Sequence, residues 1–383
     1  MSHQAGSARM LREINEAAAL GHLLDGGPLT RGDLCALTGL AKPTISEAVR
    51  RLEEAGLVKV VGRTSGGRGP NADVYGVNPN AAYGAAVSLR ARDSALVTAL
   101  CDLTGEIRAR VETPVDFAAT DPVDAIAEVV AAACKQARVA ARRVVHVQLG
   151  VPGSYHENAG VIRYVDVPGW SRPGLVEEIR ARLRTGLSVD NDVNLAAVAE
   201  RSHGIAEDVE GFALLWLGEE GLGLAIDLGG SLLRGARGGA GEIGYMPVGL
   251  PAEGTVHDFH DLVSGQAVHE LAARHGIAAD TGYAAVAAAV EAGARAFIDE
   301  LALRIAVGLA AVIAVLDPPL VVLAGEVGHA GGAELHKAVG AALRELSVLD
   351  TAVASTGVTE DPVLLGAMNT TLTAVRTALL DRG

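Results

Sequence analysis

Residues 211–235 read GFALLWLGEEGLGLAIDLGGSLLRG. Apolar stretches at Phe212 to Leu217 and Leu222 to Ile226, the turn Asp227-Leu228-Gly229-Gly230, and Leu232-Leu233-Arg234 make a three-stranded meander. The same layout stands earlier, in residues 83–111, YGAAVSLRARDSALVTALCDLTGEIRARV. There the apolar stretches are Ala85 to Leu89 and Ala95 to Leu100, the turn is Asp102-Leu103-Thr104-Gly105, and a third stretch follows. After each meander, helical and strand patterns alternate. Two copies of a meander followed by βα units predict two α/β lobes, with the ligand cleft between them.

The residues ahead of the first meander read differently. Leu11, Ile14, Ala18 and the Leu20/Leu23/Leu24 cluster have helical spacing, broken at Asp25-Gly26-Gly27-Pro28. Thr30 is placed to cap a short second helix, with Asp33 at its third position and Leu34 and Leu37 facing inward. Thr38-Gly39-Leu40 makes the turn, and a third helix runs from about Lys42 to Ala55, stopped by Gly56. On that helix Ile45, Val49 and Leu52 form one stripe, and Lys42, Ser46 and Arg50 form another. A strand pattern (Leu57 to Val61), a Gly- and Arg-rich loop (Gly62 to Pro70) and a second strand (Val74 to Val77) complete a winged helix–turn–helix. Such a head takes double-stranded DNA, with Lys42, Thr44, Ser46 and Arg50 on the reading helix and Arg63 and Arg68 on the wing.

Charge agrees with that division. The 383 residues carry a net charge of −14, yet the first 80 hold nine Lys and Arg against eight Asp and Glu, and the rest hold 23 against 38. One end is suited to a polyanion and the other is not. With 49% hydrophobic and 20% charged residues the chain has ample core, which excludes disorder and coiled coil. The apolar run Ile305 to Leu316 stops at Asp317-Pro318-Pro319, short of the ~20 residues that span a bilayer, so no membrane segment is expected. The first thirty residues lack a signal-peptide pattern. Cys35, Cys101 and Cys134 are far apart, with no CxxC pair, which suits a reduced compartment. A cytoplasmic location is expected.

Several motifs together resemble the ROK (repressor, open reading frame, kinase) family. They are Thr38-Gly39-Leu40, Gly150-Val151-Pro152-Gly153, Val167-Pro168-Gly169-Trp170, Asn191-Asp192-Val193-Asn194-Leu195-Ala196-Ala197, Ala240-Gly241-Glu242-Ile243-Gly244 and Gly366-Ala367. They stand in that family's order from about residue 15 to the C-terminus. The resemblance implies an actin-like or hexokinase-like (ribonuclease H-like) two-lobe α/β fold behind the winged head, with a sugar in the cleft. The expected division is 1–80 for the head, 81–200 for the first lobe and 201–383 for the second. Whether the C-terminal helix closes the second lobe or returns to the first stays open at this point.

The family contains sugar kinases and transcriptional regulators, and the phosphate-binding positions separate them. Kinase members carry Asp-x-Gly-x-Thr after the first strand, and its counterparts here are Arg90, Arg92 and Ser94. A second loop, Gly-Thr-Gly-like in kinases, reads Gly218-Glu219-Glu220-Gly221-Leu222-Gly223, which puts carboxylates where phosphate oxygens would sit. Like charges at ~4 Å cost roughly 4 kcal/mol per pair at an effective dielectric near 20. A third reads Ala324-Gly325-Glu326. Neither a cofactor nor a catalytic residue is therefore expected.

The sugar side is better kept. By the resemblance, Asn191 and Asp192 match the family pair in which the Asp contacts a sugar hydroxyl and, in kinases, acts as general base. Glu242 matches a hydroxyl acceptor, and Asp166 stands where the family often has Asn before Pro-Gly-Trp. Two positions depart: Tyr245 replaces the family's His, and His260 stands where a sugar-binding Glu is usual. The zinc cysteines of the family are missing from residues 246–264, so no metal is expected, although His257 and His260 stand three apart. Ala41 replaces the usual capping Ser before the reading helix.

The expectation is a sugar-responsive DNA-binding regulator, a repressor in sign, that binds palindromic or repeated operators as a homodimer or higher oligomer. The alternatives are a sugar kinase with a DNA-binding head and a constitutive DNA binder whose ROK part is only a dimerisation scaffold.

Overall fold

In the computed structural model of the chain, the described residues are 2–64, 71–249 and 257–380, the side chains of 2–9 excepted. Arg68 therefore lies outside the described residues.

The head consists of α1 (Ser2–Gly26), β1 (Leu29–Thr30), α2 (Arg31–Thr38), α3 (Lys42–Glu54), β2 (Val58–Arg63) and β3 (Asp73–Val77). Thr30 and Asp33 form a full capping box: Thr30 Oγ1 accepts from the Asp33 N–H at 3.1 Å, and Asp33 Oδ2 accepts from the Thr30 N–H at 2.9 Å. Ala41 gives α3 no side-chain cap, as expected, and Gly56 leaves the helix at φ +72°. Leu20, Leu23, Leu34, Ile45, Val49, Leu52 and Tyr75 close the head's core. One expectation fails here and one strand was missed. Leu37 is 53% exposed, because the two-turn α2 offers the core one buried position, Leu34. The strand β1, paired with β3 through Leu29 opposite Tyr75, was not read from the sequence.

The first meander is β4 (Tyr83–Arg90), β5 (Ala95–Asp102) and β6 (Ile107–Pro114). It continues through α4 (Pro122–Ala137), β7 (Val144–Val151), the ribbon β8 (Ser154–His156) and β9 (Val161–Arg163), α5 (Leu175–Leu183), β10 (Gly186–Asn191) and α6 (Asp192–His203). The second is β11 (Gly211–Leu217), β12 (Leu222–Leu228) and β13 (Ser231–Leu232). Then come α7 (His260–Val263), α8 (Gly265–Arg274), α9 (Gly282–Ala292), α10 (Arg295–Leu316), β14 (Leu320–Ala324), α11 (Gly325–Leu346), β15 (Ala352–Ser355) and α12 (Pro362–Leu380).

The two five-stranded sheets have one topology. The first is ordered β6-β5-β4-β7-β10 and the second β13-β12-β11-β14-β15, with antiparallel meanders and parallel additions in both. The sequence repeat is thus a structural repeat. Both faces of β4 are covered: Ala85, Val87 and Leu89 face the core under α4 and α5, and Ala86 faces Leu195 of α6 and Ala367 of α12. Burial on both faces explains why these strands read as continuous apolar runs.

Helix α6 links the two sheets. Its Leu195 packs with α12 over the first sheet, and its Val193 and Ala197 join Phe212, Leu214 and Ala225 of the second. Gly366 permits the α6–α12 crossing, since a Cβ there would lie 1.8 Å from the Leu195 carbonyl oxygen. By length and composition α12 could cross a membrane, contrary to the expectation that no such segment exists. Its place against α6, β4 and β7 is that of a core helix. At its far end Leu379 and Leu380 pack against the head's core.

Candidate functional site

The cleft residues come from turns at the ends of the sheets. The Asn191 side chain caps α6, accepting from the N–H groups of Val193 (2.8 Å) and Asn194 (3.2 Å), while its amide donates to the Gly153 carbonyl at 3.2 Å. One N–H of Asn191 is left for a ligand. Asp192 Oδ1 accepts from the same Val193 N–H at 2.8 Å, so the two side chains share the cap. Burial pushes the Asp192 carboxyl up to about 7, with Glu242 and Glu326 adding like charge. A carboxyl that titrates near neutrality can donate or accept, which suits a hydroxyl partner.

Glu242 reaches the same region from the second lobe and accepts from Ser154 Oγ of the first at 2.6 Å. Its turn demands glycine at 241: φ is +90°, and a Cβ would lie 1.8 Å from the Leu224 carbonyl oxygen. Tyr245 is 65% exposed, with its ring 5.6 Å from that of Tyr164. His260 is exposed beside Gly244. Asp166 is exposed and has no hydrogen bond or ion pair among the described residues. The fold thus brings Asp192 and Glu242 together, sets Tyr245 and His260 on the neighbouring turn, and leaves Asp166 without a shown contact to the others.

Sequence reasoning missed a pair beneath these residues. Asp190, nearly buried at the end of β10, accepts from Arg234 Nη2 at 2.6 Å and Nε at 3.1 Å, and from Asn194 at 3.0 Å. Arg234 follows β13, so this bridge joins the two lobes across the cleft floor. Both residues line a cavity of about 340 Å³ with Gln148, Ser154, Asn191 and Thr370. Of the six candidate ligand residues, only Asn191 lines that cavity. The only sequence signal was the Asp-Asn-Asp run itself.

In the loop from Gly218 to Gly223, Glu219 does more than repel. Its carboxylate accepts from the first N–H groups of α9, those of Gly282 (3.2 Å) and Tyr283. An anion-binding helix start is thereby filled by the chain's own carboxylate. Arg90, counterpart of the kinase acid, pairs with Asp361 ahead of α12, as does Arg110.

On the reading helix, Lys42 and Arg50 are exposed and Thr44 and Ser46 half-buried on one side, opposite buried Ile45, Val49 and Leu52. Arg50 is not free: it donates to Glu47 at 2.7 and 3.0 Å and to Glu54. Hydrogen bonds from Arg50 and Arg51 hold Glu47 down at about 2. Lys42 has no carboxylate partner among the described residues. Arg63, at the base of the wing, pairs with Asp73 at 2.9 Å.

Comparison with known proteins fits this architecture. The ROK family profile matches residues 88–369, and that of the MarR family matches residues 13–69. The chain belongs to the ROK family. Its winged head is of the MarR type. The N-acetylglucosamine repressor of Escherichia coli O157:H7 is 25% identical over 249 residues, 64% of this chain and 60% of that protein. The chain spans about 60% of the length of the curated relatives it matches. A solved ROK regulator, a homologue of the E. coli MLC protein, superposes with a TM-score of 0.75 at 22% identity, covering 97% of this chain and 98% of that one. The ROK hexokinase of Thermus thermophilus gives a TM-score of 0.64 at 24% identity, covering 77% of this chain and 99% of that one. This likeness fixes the fold of a winged head followed by an actin-like ROK domain.

Proposed function

We propose that the protein is a sequence-specific DNA-binding transcriptional regulator, repressor in sign, of sugar-related genes. A sugar or sugar-derived metabolite in the interlobe cleft controls it, and it transfers no phosphate. The observation that carries this reading is a continuous packed path. Asn191 and Asp192 open α6; α6 packs along α12; and the last leucines of α12 enter the core of the winged head. A ligand that shifts the cleft end of α6 shifts the helix on which the DNA reader is seated. The name of the E. coli relative, a repressor defined by an amino sugar, supports the same class of effector.

In this reading Asp192 and Glu242 bind hydroxyls, Asn191, Tyr245 and His260 line the approach, and Asp166 closes its edge. Lys42, Thr44 and Ser46 meet the operator, Arg50 joins them once released from Glu47, and Arg63 and Arg68 hold the wing on phosphates. We assign 1–80 to the head, 81–200 with α12 to the first lobe, and the rest to the second. Palindromic operators call for a homodimer. The outer face of α10 offers an apolar stripe for one: Leu303, Val307, Ala311 and Val315 are exposed at four-residue spacing. A cytoplasmic location follows from the DNA partner.

The second reading is a sugar kinase with a DNA-binding head. Asp192 favours it, since a carboxyl near 7 suits a general base. Glu219 on the start of α9 opposes it. Genomic fragments captured by the purified protein, then assayed by gel shift with sugars, amino sugars and sugar phosphates, test the regulator. Specific sites whose shift one of these compounds changes are expected. No specific site, together with ATP turnover on any hexose, would give the reading to the kinase.

A further inference from the structure

Many arginines in this acidic chain are matched: Arg50, Arg51, Arg63, Arg90, Arg110, Arg172, Arg201 and Arg234 each have a carboxylate within 4 Å. One end of the first lobe gathers several that are not. Residues 129–156 contain Lys135, Arg138, Arg142 and Arg143 and no Asp or Glu, and residues 179–189 contain Arg180, Arg182 and Arg184 and again none. Parallel pairing of β7 with β10, Gly186 opposite His146, brings the two segments side by side. Thr185 Oγ1 ties them at this end by donating to the Val144 carbonyl at 2.8 Å.

Between them lies a cavity of about 440 Å³ lined by Arg142, Arg180, Arg184 and Thr185. Arg142 and Arg184 have no side-chain hydrogen bond or ion pair among the described residues. Arg180 donates to the Leu187 carbonyl at 3.3 Å and has one carboxylate, Glu177, at 3.8 Å. Three guanidinium groups around one concavity, with a single distant carboxylate, are an unbalanced positive field that an anion would relieve. Guanidinium forks match the paired oxygens of a phosphate group, and the volume suits a small metabolite.

We propose that this cavity is a phosphate-binding site, separate from the interlobe cleft and independent of the function assigned above. Its volume fits the phosphate of a small phosphorylated molecule. The backbone phosphate of DNA is the other source of the same group, because the site adjoins the seat of the head. Val145, which also lines the cavity, packs against the same buried cluster (Ala82, Leu103, Val375) as Leu24, Val77 and Leu379, and Arg143 donates to the Asn80 carbonyl.

The test compares the full-length protein with an Arg142→Ser/Arg184→Asn double variant. Asn is chosen because Arg184 has φ +54°, a region Asn tolerates. Inorganic phosphate, glucose 6-phosphate and glucose are titrated calorimetrically at low salt, and a 20-base-pair duplex of arbitrary sequence is titrated at several salt concentrations. Phosphate and glucose 6-phosphate are expected to bind the native protein at least fivefold more tightly than the variant, with glucose unaffected by the substitutions. If DNA is the source, the small phosphates bind both proteins alike and the variant's salt slope falls by about two units, one per lost phosphate contact. Equal affinities for every ligand and equal salt slopes in the two proteins would overturn the site. Circular dichroism checks the fold of the variant; should it fail, Arg142→Gln alone, on an exposed turn, repeats the comparison.

Discussion

Asp192 and Glu47 are single carboxyls that their surroundings shift in opposite directions. Burial raises the Asp192 carboxyl to about 7 in the folded chain, above its ordinary 3.8. The folded state therefore holds a proton that the unfolded state has lost, and stability falls as pH rises between about 4 and 7. Asp192→Asn removes that dependence. It should stabilise the protein by on the order of 2 kcal/mol at pH 8 and leave it unchanged near pH 4, read from urea unfolding at the two pH values. A variant with no advantage at pH 8 would deny the buried, proton-holding carboxyl.

Glu47 restrains Arg50 at the other end. Alanine at Lys42 should weaken operator binding by about 1 kcal/mol, and alanine at Arg50 by less, because Arg50 must first leave two carboxylates. Glu47→Gln should tighten binding, since it removes a negative charge and loosens Arg50. Fluorescence anisotropy with labelled duplex measures all three. At this scale the sequence was legible where partners are near in the chain, as in the Thr30–Asp33 capping box. It was silent on Asp190–Arg234 and on Glu219 at the start of α9, because 44 and 63 residues separate the partners.

At the scale of elements, the crossing of α6 and α12 carries the most consequence. The crossing depends on Gly366, whose missing side chain lets the helices touch. Gly366→Ala should cost about 3 kcal/mol, seen as a lower urea midpoint with an unchanged slope, because backbone on the partner helix must move away. A midpoint like the wild type's would mean that the helices do not approach as described. The repeat of the two meanders was readable because strands buried on both faces are apolar throughout. Which sheet α12 covers was not, since an apolar helix of 19 residues fits either lobe by pattern alone. The exposed stripe of α10 was invisible for a related reason: its residues look like core in sequence and face outward only once the helix is seated. Val307→Glu should turn the proposed dimer into a monomer by sedimentation, whereas an unchanged oligomer would place the interface elsewhere.

The winged head meets the acidic two-lobe body through the end of α12 and through Leu24 and Val77, which pack with Val145 against Ala82, Leu103 and Val375. The lobes meet through the Asp190–Arg234 bridge, the Ser154–Glu242 hydrogen bond and the shared packing of α6. Under the proposed function, a polyol closing the cleft would change the setting of α6, and α12 would pass that change to the head. The proposed dimer would then no longer fit two half-sites one helical turn apart. The division into head and body was legible from charge and motif order; the packing between them was not, because the C-terminal leucines meet head residues some 300 positions away.

The measurement that bears most directly on this account is the affinity of the full-length protein for its selected operator, with and without the effector sugar, in the wild type and in Asp192→Asn. The account predicts that the sugar weakens wild-type binding at least tenfold and leaves the variant's binding nearly unchanged. Operator affinity that no sugar alters in the wild type, or that changes equally in the variant, would contradict control from the cleft.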